Sequence, residues 1–276
     1  MPKQACPPQQ NFNEHDPIIE LGAVVTVVWD TLPPMPRPSH SPRPPRYDSS
    51  LACKELAAAD SKLRRLIARA GPFTLRVASA QSPFEALVES IVYQQLHGKA
   101  AATIHRRLLE SFAPVLTLEG TGLGTHPSPH QLLDAPNQQL RAAGLSHNKS
   151  LALRDLAAKT IDGTVPTLAR IRRMSDQAII DHLTQVRGIG KWTVEMLLIF
   201  RLGRPDILPT GDYGVRKGFA LTFQGLKPST KVTPALLPSA AEMELRAKKW
   251  VPWRSVASWY LWRACDLAAG KLPASE

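Results

Sequence analysis

The segment His182-Leu183-Thr184-Gln185-Val186-Arg187-Gly188-Ile189-Gly190-Lys191-Trp192-Thr193 joins two apolar helical stretches through a Gly-x-Gly turn. Glycines at Gly188 and Gly190 allow positive φ and leave the backbone bare. The amides that open the following helix can then point together at an anion, which the helix dipole also favours. Arg187 and Lys191 add positive charge, and Thr193 a hydroxyl, beside the turn. A tight turn between two packed helices explains the same glycines, so the pattern alone does not choose between packing and phosphate binding.

Working outward, the chain reads as helical. Ser50–Ala70 carries apolar residues at helical spacing and is closed by Gly71-Pro72. Ser82-Pro83-Phe84-Glu85 is a capping-box pattern opening a helix through Val92. Gln94–Gly98 interrupts it, and helix resumes over Lys99–Phe112. Gly120–His130 reads as a loop. Further helices are expected at about 130–143, 147–161, 175–186, 190–202, 213–223 and, after Pro252, 253–269, with a second capping-box pattern at Ser239–Glu242. No alternating strand pattern follows residue 72, so the predicted class is all-α.

Residues 1–47 hold eleven of the 25 prolines, and residues 1–48 read as a disordered, Pro-rich arm. The apolar run Ile18–Trp29 could still add a strand to the body, which spans 49–276. That run is far short of the roughly 20 residues a membrane span needs and lacks a basic leader. Of the +11 net charge, residues 1–50 contribute −1 and residues 51–276 contribute +12, so the folded part favours an acidic partner such as nucleic acid. Cys6, Cys53 and Cys265 are too scattered for a disulfide framework or a metal cluster, and a reducing cytoplasm is the expectation.

Beyond the second hairpin helix, Gly211-Asp212-Tyr213-Gly214-Val215-Arg216-Lys217-Gly218 opens another helix. Asp212 is at an N-cap position, where aspartate commonly binds free amides. It is also placed to turn a carboxylate toward a cleft beside the hairpin. Three separated segments carry a more specific pattern: Ile91-Val92-Tyr93-Gln94-Gln95-Leu96; Val186–Phe200 with Leu208–Gly218; and Trp250-Val251-Pro252-Trp253-Arg254 through Arg263. Together they resemble the helix-hairpin-helix (HhH-GPD) DNA glycosylase superfamily and, within it, the 3-methyladenine DNA glycosylase II (AlkA-like) family.

The resemblance implies a two-lobed helical bundle with the active-site cleft between lobes. One lobe would be about 80–200, the other 50–72 with 205–276. It implies a monomer acting on double-stranded DNA containing alkylated bases, cytoplasmic and nucleoid-associated, in base excision repair. Asp212 would stabilise the oxocarbenium charge that develops on the sugar and position the attacking water. Trp192, Met196, Tyr213 and Trp262 would form the base pocket, where an indole stacks on a cationic base. Gln94, Gln95, Leu96 and His97 would enter the minor groove, with Gln95 or Leu96 filling the gap left by the flipped nucleotide. Arg187, Gly188, Gly190, Lys191 and Thr193 would hold phosphate. Arg254 would either bind phosphate or anchor helix packing.

Relatives that also nick the strand place a Schiff-base lysine two positions after the second hairpin glycine. Trp192 stands there, and Lys191 is about 100° away around the helix. The expected enzyme is therefore monofunctional and needs no cofactor. The backbone carbonyls of Thr184, Val186 and Ile189 would hold a structural Na⁺ or K⁺. The alternatives are a glycosylase of this superfamily for oxidised or deaminated bases, and a non-catalytic damage-binding module.

Overall fold

The computed structural model describes residues 43–78, 82–118 and 126–271. The arm over 1–42, the added strand at Ile18–Trp29, Cys6, and residues 120–125 of the predicted loop lie outside the described residues.

The single helix expected over Ser50–Ala70 is two, α1 (Ser49–Ala59) and α2 (Ser61–Ala70). Asp60 makes the break. Its backbone is extended at φ −144° and ψ 109°, and its carboxylate accepts the Lys62 amide at 3.0 Å to start α2. Aspartate competes with the helix for its own backbone. Here the same buried carboxylate is also gripped by Arg246, by Lys249 at 3.0 Å and by the Trp250 indole at 3.3 Å. Burial pushes its pKa up, but these donors outweigh burial and hold it at about 2. The apolar spacing continues across the break, so periodicity could not reveal it.

Next come α3 (Pro83–Tyr93), started by the Ser82 hydroxyl accepting the Glu85 amide at 3.1 Å, and α4 (Gly98–Leu118). The helix expected at 130–143 is again two, α5 (Pro129–Asp134) and α6 (Asn137–Ala142), because Pro136 supplies no amide to continue the first. α7 (His147–Ile161) agrees with expectation, while the short α8 (Leu168–Ile171) was not foreseen. α9 (Asp176–Leu183) and α10 (Lys191–Phe200) flank the hairpin. α11 (Tyr213–Phe219) relaxes into a π turn over Ala220–Gln224. α12 (Ala240–Ala247) starts at the Ser239–Glu242 capping box, and α13 (Arg254–Ala268) ends the fold.

α1, α2, α11 and α13 pack on one another, with α12 attached through the turn at Lys248–Trp250. On the other side α3 packs on α4 and α7, α5 and α6 pack on α7, and α9 packs on α10. The all-helical, two-lobed expectation therefore holds. Residues 43–48, assigned to the arm, belong to the body. Arg43 and Val77 exchange backbone hydrogen bonds at 3.1 and 2.7 Å, Tyr47 packs on Trp253, and Asp48 caps α1. Leu75 and Val77 are buried there, so the connection after α2 provides apolar surface for this stretch to cover.

Candidate active site

Asp212 caps α11, and it does more than cap. Its Oδ1 accepts the Val215 amide at 2.8 Å and the Trp262 indole N–H at 2.8 Å. Its Oδ2 accepts the Trp192 indole N–H, also at 2.8 Å. An ionised carboxylate has about four acceptor sites, so roughly one remains, on Oδ2. The side chain is 5% exposed and lies on the seam of the two lobes, since α10 supplies Trp192 while α11 and α13 supply Asp212 and Trp262.

The two tryptophans differ. Trp192 is 38% exposed, whereas Trp262 is 2% exposed and packs against Phe200 at 5.5 Å. Trp262 therefore holds the carboxylate from behind, and the stacking role expected for it is not available in this arrangement. Glycine at position 214 permits the approach: a Cβ there would stand 2.7 Å from the indole Cδ1. Tyr213 and Met196 are partly buried nearby on α11 and α10.

The loop bearing Asp212 is fastened to α13. Ser255 Oγ accepts the Ile207 amide at 2.9 Å and donates to Arg204 O at 2.7 Å, and the Ser255 amide donates to Pro205 O at 2.9 Å. Arg254 grips Asp206 through Nε at 2.7 Å and Nη2 at 2.8 Å, and that bond raises its pKa further. Of its two expected roles, anchoring is the one the contacts display.

In the hairpin, Gly188 takes φ +76°, the left-handed region that favours glycine. Gly190 has φ −95° and ψ 169°, caps α10 without any side-chain bond, and leaves the first-turn amides facing outward. Arg187, Lys191 and Trp192 are exposed around this opening, and Thr193 is half-buried. Of the carbonyls suggested for a cation, that of Val186 accepts the Ile189 amide at 3.0 Å and keeps a second lone pair.

At the other turn Gln95, Leu96 and His97 are exposed, but Gln94 is not available as a base contact. Its amide donates to Gly188 O at 2.9 Å.

Sequence reasoning missed Glu195. It is 4% exposed on α10, one helical turn past Lys191, whose ammonium stands 3.7 Å from Oε1. Burial pushes its carboxyl up to about 7, with Lys191 drawing it down and the Asp212 charge raising it further. An acid between Val194 and Met196 in an apolar run is the signal that could have found it. The folded protein holds this proton where the unfolded chain, titrating near 4.5, has released it. Stability contributed here therefore falls as pH rises from about 4.5 to about 7. Glu195→Gln should flatten the dependence of Tm on pH across that window. An unchanged slope would show that Glu195 does not carry the proton.

The arrangement is an oriented carboxylate beneath an exposed indole, next to a turn of outward-facing amides. Comparison with known proteins gives it a context. A family model described as HhH-GPD superfamily base excision DNA repair protein matches residues 88–242. The chain is 33% identical over 214 residues to DNA-3-methyladenine glycosylase 1 of Schizosaccharomyces pombe, covering 77% of this chain and 86% of that protein. A structure of the S. pombe 3-methyladenine DNA glycosylase in complex with abasic DNA superposes with a TM-score of 0.61 at 31% identity, covering 77% of this chain and 95% of that one. A Bacillus halodurans DNA-3-methyladenine glycosidase gives 0.67 at 31% identity, covering 82% and 95%.

Proposed function

This chain belongs to the HhH-GPD superfamily of base excision DNA repair proteins, and from that membership we infer a DNA glycosylase that removes alkylated bases by hydrolysis, with Asp212 at the reacting centre. One observation carries the assignment of the centre: two indoles and a helix amide, each at 2.8 Å, aim one carboxylate at the lobe seam.

Cleavage of the N-glycosidic bond leaves positive charge on the deoxyribose, and a fixed anion beneath it lowers that barrier. The remaining acceptor site on Oδ2 would orient the water that attacks the sugar, and Asp212 would take its proton. The exposed Trp192, with Tyr213 and Met196, would receive the extruded base. Alkylation at N3 or N7 makes a purine cationic, which improves it as a leaving group and draws it to an indole face. Trp192 occupies the place of a strand-cleaving lysine, and Lys191 points toward Glu195, so base release without nicking is expected. We place the enzyme with its DNA in the cytoplasm, as a monomer. Neutral carbonyls at Thr184, Val186 and Ile189 suit a monovalent cation that would stiffen the hairpin. The direct test is incubation with DNA carrying 3-methyladenine or 7-methylguanine. Free base with intact strands supports the reading, and no base released from either lesion overturns it.

The hairpin offers a separate check. A Cβ at Gly190 would meet nothing within 4 Å, and its φ is ordinary, so the fold makes no demand for glycine there. Close approach of a phosphate does. Gly190→Ala should leave Tm nearly unchanged and weaken DNA binding by roughly tenfold, the worth of one charge-assisted hydrogen bond. Binding equal to wild type would remove Gly190 from the phosphate site.

A further inference from the structure

One face of α7 serves both DNA-directed turns. At its start Lys149 extends its ammonium to two carbonyls at the end of α3, Val92 O at 2.6 Å and Gln94 O at 2.9 Å. These are the carbonyls a helix terminus leaves without partners, at the negative end of its dipole. Lys149 makes no ion pair among the described residues, and burial lowers its pKa. Farther along, Asp155 accepts the Arg187 amide at 2.7 Å, and Lys159 donates to Gln185 O at 2.5 Å. Positions 149, 155 and 159, together with Ala152, which lies behind Gly188, share one side of the helix.

Gln94 closes the circuit. Its side-chain donor reaches Gly188 O at 2.9 Å, and a carbonyl can only accept, so the orientation of the amide is unambiguous. The next residue, Gln95, is an exposed non-glycine at φ +57°. Such a backbone is disfavoured for a residue with a side chain and persists where its flanks are held. Lys149 and Gln94 hold the near flank.

We propose that Gln94 and Lys149 are positioning residues that couple the turn at 94–97 to the phosphate-binding turn at 187–190, so that engagement of the hairpin sets the wedge for base extrusion. The coupling rests on the reading above that both turns face DNA. It requires neither residue to touch a base. Gln94 spends its amide on the hairpin and Lys149 its charge on α3, while Gln95 and Leu96 remain free to enter the duplex.

The test pairs two readouts on Gln94→Ala, Lys149→Met and the double variant, after thermal melts show that each folds. The first is the rate of 3-methyladenine release from a matched duplex against a duplex with the lesion in a bulge, where extrusion needs little work. The second is 2-aminopurine fluorescence beside a non-hydrolysable abasic analogue, which reports wedge insertion without any chemistry. Expected is a loss on the order of 10- to 100-fold on matched DNA and a much smaller one on the bulge, with the fluorescence rise diminished. The double variant should be no worse than the worse single, and Lys149→Arg should restore most of the loss. Equal losses on both substrates, full additivity, or an unchanged fluorescence rise would overturn the proposal. If the wild type releases no alkylated base yet shows a fluorescence rise that these variants lose, the proposed function fails and the coupling stands.

Discussion

Asp212→Asn is expected to slow release of an alkylated base by at least about 10²-fold while leaving DNA affinity and fold close to wild type, the usual size of a lost transition-state electrostatic term. The fold should survive because asparagine is as good an N-cap as aspartate. Its carbonyl oxygen can keep both bonds now made by Oδ1, from Val215 and Trp262. What changes is the other arm. An NH₂ would face the Trp192 indole N–H, two donors with no acceptor between them, where Oδ2 now accepts at 2.8 Å. The exposed Trp192 would swing away, so the substitution removes both a charge and a bond. Trp192→Phe separates them, since it deletes the same indole donor and keeps the carboxylate and an aromatic face. It should cost much less than Asp212→Asn if the charge dominates. Equal losses would move the burden from the charge to the orientation of the pocket. An Asp212→Asn enzyme within a few-fold of wild type would remove Asp212 from the chemistry.

The elements behind this prediction were legible to different degrees. The hairpin and Asp212 stand out because a Gly-x-Gly turn and an N-cap aspartate are local signals, set by the backbone needs of a few adjacent residues. Trp192 and Trp262 were legible as positions and not as directions. Helical spacing places an indole on a face but does not say whether its N–H or its ring meets the cleft. At Trp262 the N–H meets Asp212 and the ring is covered by Phe200. For Gln94 the resemblance implies a DNA contact, yet its partner, Gly188, lies 94 residues away. Asp60 shows the same limit in the fold. The donors that draw it out of a helix are Arg246, Lys249 and Trp250, far along the chain. Such long-range pairings leave no mark on local periodicity.

A glycine that no turn requires supplies the second large effect. Gly218 is inside α11, where alanine is intrinsically better by about 1 kcal/mol. A Cβ there, however, would be 1.9 Å from Leu261 O and 2.6 Å from Leu261 C on α13. The obstacle is backbone, which cannot rotate aside, so the two helices would have to separate. Overpacking of this kind costs about 1–3 kcal/mol and sometimes more. At roughly 2–4 °C per kcal/mol for a domain of this size, Gly218→Ala should lower Tm by about 2–12 °C. The site should suffer with the fold, because Asp212 caps α11 and α13 carries Trp262, and parting the helices stretches the 2.8 Å bond between these residues. Gly214, one turn earlier on the same face, gives the contrast. There an added Cβ would meet the Trp262 ring at 2.7 Å, an indole that can tilt where a main chain cannot. Gly214→Ala should therefore lower Tm less and yet impair base release, since the tilted indole would lose Asp212. A thermal melt and a base-release assay on the two variants resolve the matter: a Gly218→Ala protein that melts with wild type would mean that α11 and α13 are not in the contact that sets the geometry of Asp212.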